Sequence, residues 1–346
     1  MKLTDFSKFD SNLKIVKNPD WPEEILAISS LESLQKNSAI FIRNAKFLNR
    51  FLPSLKKALD LQVGLVIDEK FYGLLNSQDK LSLESLPWIA TTSNLALSLT
   101  VLSKPFYDLK MQGLNYQVDG RQLGTVDIHP TARISQNVFI GEHVKIGAYV
   151  EILPGSVIMP YVSIYEGTKI FSNVSLYPFT QIGKNCRIHS GVVIGSDGFG
   201  YTFHQGQHLK IWHMGGVIIE SDVEIGSNSS VDMGTFSPTL IGSGTRIDNL
   251  VQVGHNSKIG RGCILCGQAG TAGSSVLEDF VVLGGRAAVG PEVHLGMGTQ
   301  VAGGAKVTEG QWPAGSKLGG HPARDLKEWM RGLAYLRKVS LKENNE

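Results

Sequence analysis

Between Ile128 and Ile194 every sixth residue of the chain is aliphatic, through Ile134, Ile140, Ile146, Ile152, Ile158, Ile164, Ile170, Leu176, Ile182 and Ile188. Two positions before each lies a small or β-branched residue, as in Val138, Val144, Ser156, Thr168, Cys186 and Val192. Neither a helix nor an ordinary strand repeats at six. The pattern calls for a short strand that puts two side chains inward and then a corner, so that three six-residue faces close one coil and successive coils stack their aliphatic residues. The beat resumes at Ile219, Ile225 and Val231, slips, and runs from Ile241 to Val307 with Thr271 as its only departure. These 27 positions predict nine coils. At the usual strand spacing they form a rod roughly 43 Å long. The chain is thus expected to be mainly β, a parallel β-helix of hexapeptide repeats over residues 126–309.

The flanks follow other rules. Residues 1–103 read as a small α/β domain, with strands over Ala39–Arg43, Val63–Ile67 and Trp88–Thr91, a helix over Lys46–Leu61 and another from Thr92 onward. Residues 104–125 are expected to be a connector, and residues near 196–216 an insertion between repeat blocks. After the last hexad, 310–346 is expected to form an extension, Gly- and Pro-rich at first, then a helix opened by Pro322. One stripe of that helix carries Leu326, Trp329, Met330, Leu333, Leu336 and Val339. Such a stripe must be covered, either by its own rod or by copies from other subunits.

Composition narrows the classes of function. With 346 residues, 42% hydrophobic, 18% charged and a formal net charge of +2, the chain has no nucleic-acid footprint. No run of about eighteen apolar residues suggests a membrane span. The first ten residues lack the basic and apolar regions of a secretion signal, so a cytoplasmic location is expected. Cys263 and Cys266 form a CxxC, but no second pair completes a zinc site and three cysteines give no disulfide framework. His204, His208 and His213 fall in the insertion and read as a solvated loop. No metal and no cofactor is expected.

The register assigns positions to the residues that carry chemistry. His255 lies two past Val253, at a corner, and Gly273 lies eighteen residues later, which is one full coil. The two therefore share a corner on adjacent rungs, roughly 4.8 Å apart. A base beside a backbone N–H suits attack on an acyl carbonyl, which needs a proton acceptor for the nucleophile and a donor for the oxyanion. From position alone, a solvated corner histidine beside a turn glycine remains the alternative.

The stretch Ile247-Asp248-Asn249-Leu250-Val251-Gln252-Val253-Gly254-His255-Asn256, followed by Ala272-Gly273-Ser274, resembles the active-site segment of the UDP-3-O-acylglucosamine N-acyltransferases of lipid A biosynthesis. Gly195-Ser196-Asp197-Gly198-Phe199-Gly200-Tyr201 is similar to that family's insertion motif, and Phe41-Ile42-Arg43-Asn44-Ala45-Lys46-Phe47 to its uridine-gripping segment. The resemblance covers essentially the whole chain. It implies a left-handed β-helix, His255 as general base toward the glucosamine 2-amino group and Gly273 as oxyanion donor. It further implies Asp248 as an orienting carboxylate and an acyl carrier protein thioester as donor. Phe41 and Phe47 would sandwich uracil while Asn44 reads a polar edge; Asp197, Phe199, Tyr201, Asn249 and Gln252 would contact the substrate. Acidic carrier proteins in families of this type suit the basic face of the terminal helix, with Arg324, Lys327, Arg331, Arg337, Lys338 and Lys342. A corner histidine on a convex rod needs a second wall, so a homotrimer with sites between rods is expected.

There are departures from the family pattern. Asp232-Met233-Gly234 stands where aspartate-arginine-glycine is common, Phe47 where a tyrosine is, and Ile211-Trp212-His213-Met214 where proline and glutamine usually occur. A second family histidine falls at Glu292. The alternatives are another sugar-nucleotide N-acyltransferase with a different acyl donor, or a non-enzymatic nucleotide-sugar-binding scaffold.

Overall fold

The computed structural model describes residues 1–320 and 325–343, with side chains described through residue 340. Pro322, Arg324 and the Lys342 side chain, which figure in the sequence reading, lie outside the described residues.

The repeats close into a parallel β-solenoid whose three faces are sheets of 10, 9 and 10 strands. Within the uninterrupted repeats each strand pairs in register with the one eighteen residues on, so Ile152 stands beside Ile170 and Ile170 beside Ile188. The aliphatic positions form one continuous buried core from Val138 to Val307. The stack continues past the expected end at 309: Gln311–Trp312 pairs with His294–Leu295, and Lys317–Leu318 with Gln300–Val301. The step from Val307 to Trp312 is five residues rather than six, which broke the sequence beat. Thr271, the one polar member of the row, is buried and its hydroxyl accepts from the Gly254 N–H at 3.3 Å.

Corners impose their own conformation. Residues three past the aliphatic position, among them Asn137, His143, Asn173, Asn228, Asn256, Ser274 and Glu292, have φ between 55° and 62°. This left-handed turn aims the residue's N–H at the preceding coil, as when Ser274 donates to the His255 carbonyl at 2.8 Å and Glu292 to that of Gly273 at 3.2 Å. Asn tolerates the region best, hence its frequency there.

The N-terminal domain is a five-stranded sheet in the order Lys14–Lys17, Ile89–Thr92, Gly64–Asp68, Ser38–Ile42, Ala27–Ile28, with only the first pair antiparallel. Gly64 leaves the space that Trp88 fills, since a Cβ there would lie 1.8 Å from the indole. The helix expected over Lys46–Leu61 is divided into Ala45–Phe51 and Leu55–Asp60 by a 3-10 turn at Leu52–Ser54, because Pro53 has no N–H to continue the ladder. The next helix, Leu95–Met111, runs through the first part of the expected connector.

That helix fastens the domain to the rod through the insertion. Strands Tyr201–His204 and Gln207–Lys210 form a hairpin whose turn residues Gln205 and Gly206 both have positive φ. Thr100 donates to the Thr202 hydroxyl at 2.7 Å, Lys110 to the Met214 carbonyl at 2.6 Å, and the Trp212 N–H to Ser103 at 3.1 Å. At the far end, helix Leu326–Glu343 does not fold back on its own rod: Leu326, Trp329, Met330, Leu333, Leu336 and Val339 are all exposed. Among the described residues no helix is long and apolar enough to cross a membrane.

Candidate active site

His255 occupies the corner between strands Gln252–Val253 and Lys258–Ile259. Its tautomer follows from its neighbour. The Asn256 Oδ1 accepts from the Thr235 N–H at 3.0 Å and the Thr235 hydroxyl at 2.7 Å, while its Nδ2 donates to the Ser237 carbonyl at 3.2 Å. A backbone N–H can only donate, so the amide orientation is fixed. His255 Nδ1, 3.0 Å from that oxygen, must therefore carry the proton. Nε2 is left with a bare lone pair, and it faces Gly273: a Cβ on that glycine would stand 2.5 Å from Nε2. The Gly273 N–H has no protein acceptor among the described residues. A proton acceptor and a free backbone donor are thus side by side on adjacent rungs, as the register requires.

The insertion motif lies over this corner. A Cβ on Gly198 would meet the His255 Cβ at 2.5 Å and the His213 Nε2 at 2.7 Å. Asp197 forms an ion pair with Lys210, while Phe199, 85% exposed, stacks edge-on to Tyr201 with ring centres 5.1 Å apart. His213 is not solvated, in contrast to the sequence expectation. It is completely buried, its ring centre 5.0 Å from that of His255, and burial pushes it down to about 4.

Within one chain, the carboxylate whose electrostatics involve His255 is Asp232. Burial raises the Asp232 carboxyl, and Gln252, His255 and Ser196 pull it back. The Asp248 carboxylate instead accepts from the N–H of Gly267 at 2.9 Å and of Asn249 at 2.7 Å, one corner away. It lines an open groove of about 400 Å³ with Asn249, Leu250, Gln268, Gly285 and Arg286. Within one chain, therefore, Gln252 reaches the neighbourhood of His255 through Asp232, while Asp248 and Asn249 belong to the next corner. Asp232 and Asp248 hold the same register position, one past Val231 and one past Ile247, so the sequence carried no signal that told them apart.

The Phe41–Phe47 segment comes to the same column of the rod. Glu292, one rung beyond Gly273, pairs with Arg43 at 3.2 Å and Lys46 at 2.9 Å. The Lys46 hydrogen bond holds the Glu292 carboxyl below its ordinary range, with Arg43 adding to the effect. Asn44 caps helix Ala45–Phe51 by accepting from the Phe47 N–H at 3.3 Å. Phe47 lies under the guanidinium of Arg43 at 4.6 Å, and half-buried Phe41 packs on the Trp88 cluster. Arg331, Arg337 and Lys338 lie exposed on the terminal helix, remote in sequence from this corner. Burial raises the Cys263 thiol to about 11, so it stays protonated in the core.

Comparison with known proteins identifies relatives of the chain. Residues 162–196 match the model of the family described as "Bacterial transferase hexapeptide (six repeats)". A UDP-3-O-acylglucosamine N-acyltransferase of Helicobacter hepaticus is 40% identical over 326 residues, covering 93% of this chain and 92% of the relative. One from Campylobacter lari is 38% identical over 338 residues, 97% of each chain. One from Methylobacterium nodulans is 46% identical over 156 residues, so the alignment spans only 44% of that relative's length and 45% of this chain.

Proposed function

The chain belongs to the UDP-3-O-acylglucosamine N-acyltransferase family of lipid A biosynthesis, and from that premise we propose that it transfers a 3-hydroxyacyl chain from acyl carrier protein to the 2-amino group of UDP-3-O-acylglucosamine. The observation that carries the reading is the fixed tautomer of His255, whose unprotonated Nε2 faces Gly273. The acceptor amine loses a proton to Nε2 as its nitrogen bonds to the thioester carbonyl carbon. The oxyanion that forms is held by the Gly273 N–H. When the tetrahedral intermediate collapses, the C–S bond breaks, and the imidazolium returns its proton to the departing thiolate, leaving amide and free thiol. Imidazole suits this cycle because its unperturbed pKa lies near neutrality.

The nucleotide is assigned to the Phe41–Phe47 segment, and the carrier protein to the basic face with Arg331, Arg337 and Lys338. Because His255 sits on a convex corner, we infer a homotrimer in which the neighbouring rod supplies the second wall. Asp248 and Asn249 would reach a substrate only as part of that neighbouring wall. The enzyme is assigned to the cytoplasm. His255→Ala is expected to cut turnover by about 10²–10⁴-fold with nucleotide-sugar affinity near wild type. Mass spectrometry of products from UDP-glucosamine derivatives with carrier-protein and CoA thioesters reads both activity and donor. A folded alanine variant that keeps turnover within a few-fold of wild type would remove the general-base role.

A further inference from the structure

His213 is a polar side chain whose needs are not met. Its Nδ1 lies 2.9 Å from the Ile211 carbonyl oxygen, which only accepts, so Nδ1 carries the proton and Nε2 a bare lone pair. That lone pair is fully buried and has no hydrogen-bond partner among the described residues. An orphaned buried acceptor costs about 1–3 kcal/mol, so the position calls for an offsetting reason. The surroundings supply one. The ring stands at 71° to that of His255, edge to face, and the backbone of the insertion motif closes over both imidazoles. It can do so only because Gly198 and Gly200 lack side chains: a Cβ would lie 2.7 Å from Nε2 at the first and 2.8 Å from Cε1 at the second.

We propose that His213 is a positioning residue for His255: anchored by Ile211 and roofed by Gly198 and Gly200, its ring walls the His255 imidazole so that Nε2 stays over Gly273. The inference rests on the general-base reading of His255. Two contacts then fix the base, Asn256 holding one edge of the ring and His213 one side. The wall must also carry no charge, because a cation 5.0 Å from His255 would oppose formation of the imidazolium. The charged groups acting on the pair are Asp197 and Lys210 near His213, and Asp232 near His255. Burial keeps His213 neutral down to about pH 4, through the range where His255 must cycle.

The test compares His213→Ala with His213→Leu. Both leave the Ile211 carbonyl unpaired, so that stability cost is common to them, and melting curves identify any variant that fails to fold. Only leucine refills the wall. In His213→Ala, kcat is expected to fall on the order of 10–100-fold with an unchanged KM for the nucleotide sugar, because a misplaced base costs chemistry rather than binding. The long-range ¹H–¹⁵N spectrum of the resting enzyme should lose the single Nδ1–H signature of His255. His213→Leu should retain that signature and stay within a few-fold of wild type in kcat. Equal behaviour of the two variants, or an alanine variant with an unaltered spectrum, overturns the proposal. The spectrum is read without substrate, so it tests the wall even if His255→Ala were to refute the base.

Discussion

Gly273→Ala separates the two halves of the proposed chemistry without deleting either group. The φ of Gly273 is outside the left-handed range, so alanine fits the backbone, and the N–H offered to the oxyanion remains. The added methyl carbon is the whole perturbation. It would stand 2.5 Å from the His255 Nε2, 2.6 Å from Cε1 and 2.9 Å from Cδ2. Ordinary contact needs about 3.5 Å, so the ring must yield by roughly 1 Å, and a misplacement of that size costs on the order of 10²-fold in rate. The methyl also occupies the space from which the amine must reach Nε2. Fold stability should suffer little, since only a half-buried corner side chain moves. Single-turnover acyl transfer with saturating thioester is the assay, with nucleotide-sugar binding measured by calorimetry on the same preparation. An alanine variant that keeps chemistry within threefold of wild type would mean that the proton leaves by a route not involving Nε2 above Gly273.

Three further outcomes are expected. Light scattering should find a trimer, and a stable, fully active monomer would contradict the shared-wall reading. Charge reversal at Arg331 and Arg337 should raise KM for the carrier-bound donor at low salt and leave kcat alone; an unchanged KM removes the docking role. The Glu292 contact should depend on acid. Its carboxyl is depressed by Lys46, so its contribution to holding the Arg43–Phe47 segment is present above the unfolded carboxylate pKa and is lost as pH falls through the lowered folded value. Hydrogen exchange at Ala45–Phe51 should accelerate over that acid range in wild type and show no such transition in Glu292→Gln.

The rod was legible because its core is local: each aliphatic residue needs only the one eighteen positions away, so Ile152, Ile170 and Ile188 announce their contacts in the sequence. The same arithmetic brought His255 and Gly273 together. What register could not reach is whatever leaves it. His213 departs from the hexads with the insertion and returns against His255 through tertiary packing alone. Asp248 shows the same thing from the other side: a family motif preserves sequence neighbours, whereas within one chain a corner separates Asp248 from His255, and Asp232 on the preceding coil is the carboxylate whose electrostatics involve His255. Asn256 entered the sequence reading only as the last residue of the motif, and its role in setting the histidine tautomer needed the Thr235 hydrogen bonds. In the small domain, Pro53 interrupted an amphipathic pattern that hydrophobicity alone read as continuous.

The insertion shows how such a rod counts. Ile194 is paired with Val231, a step of 231 − 194 = 37 residues where the ordinary step is eighteen, and yet Val231 meets Val253 in register on the next coil. Chain that exits and re-enters at a corner is invisible to the stack. The corner between Val307 and Trp312, one residue short, is absorbed in the same way, since Trp312 and Leu318 still pair in register with Leu295 and Val301; a residue lost inside a strand would instead turn the side chains after it to the other face. Corners are therefore where new sequence can be added without rewriting the remainder, and the one large excursion used here is the segment that roofs His255.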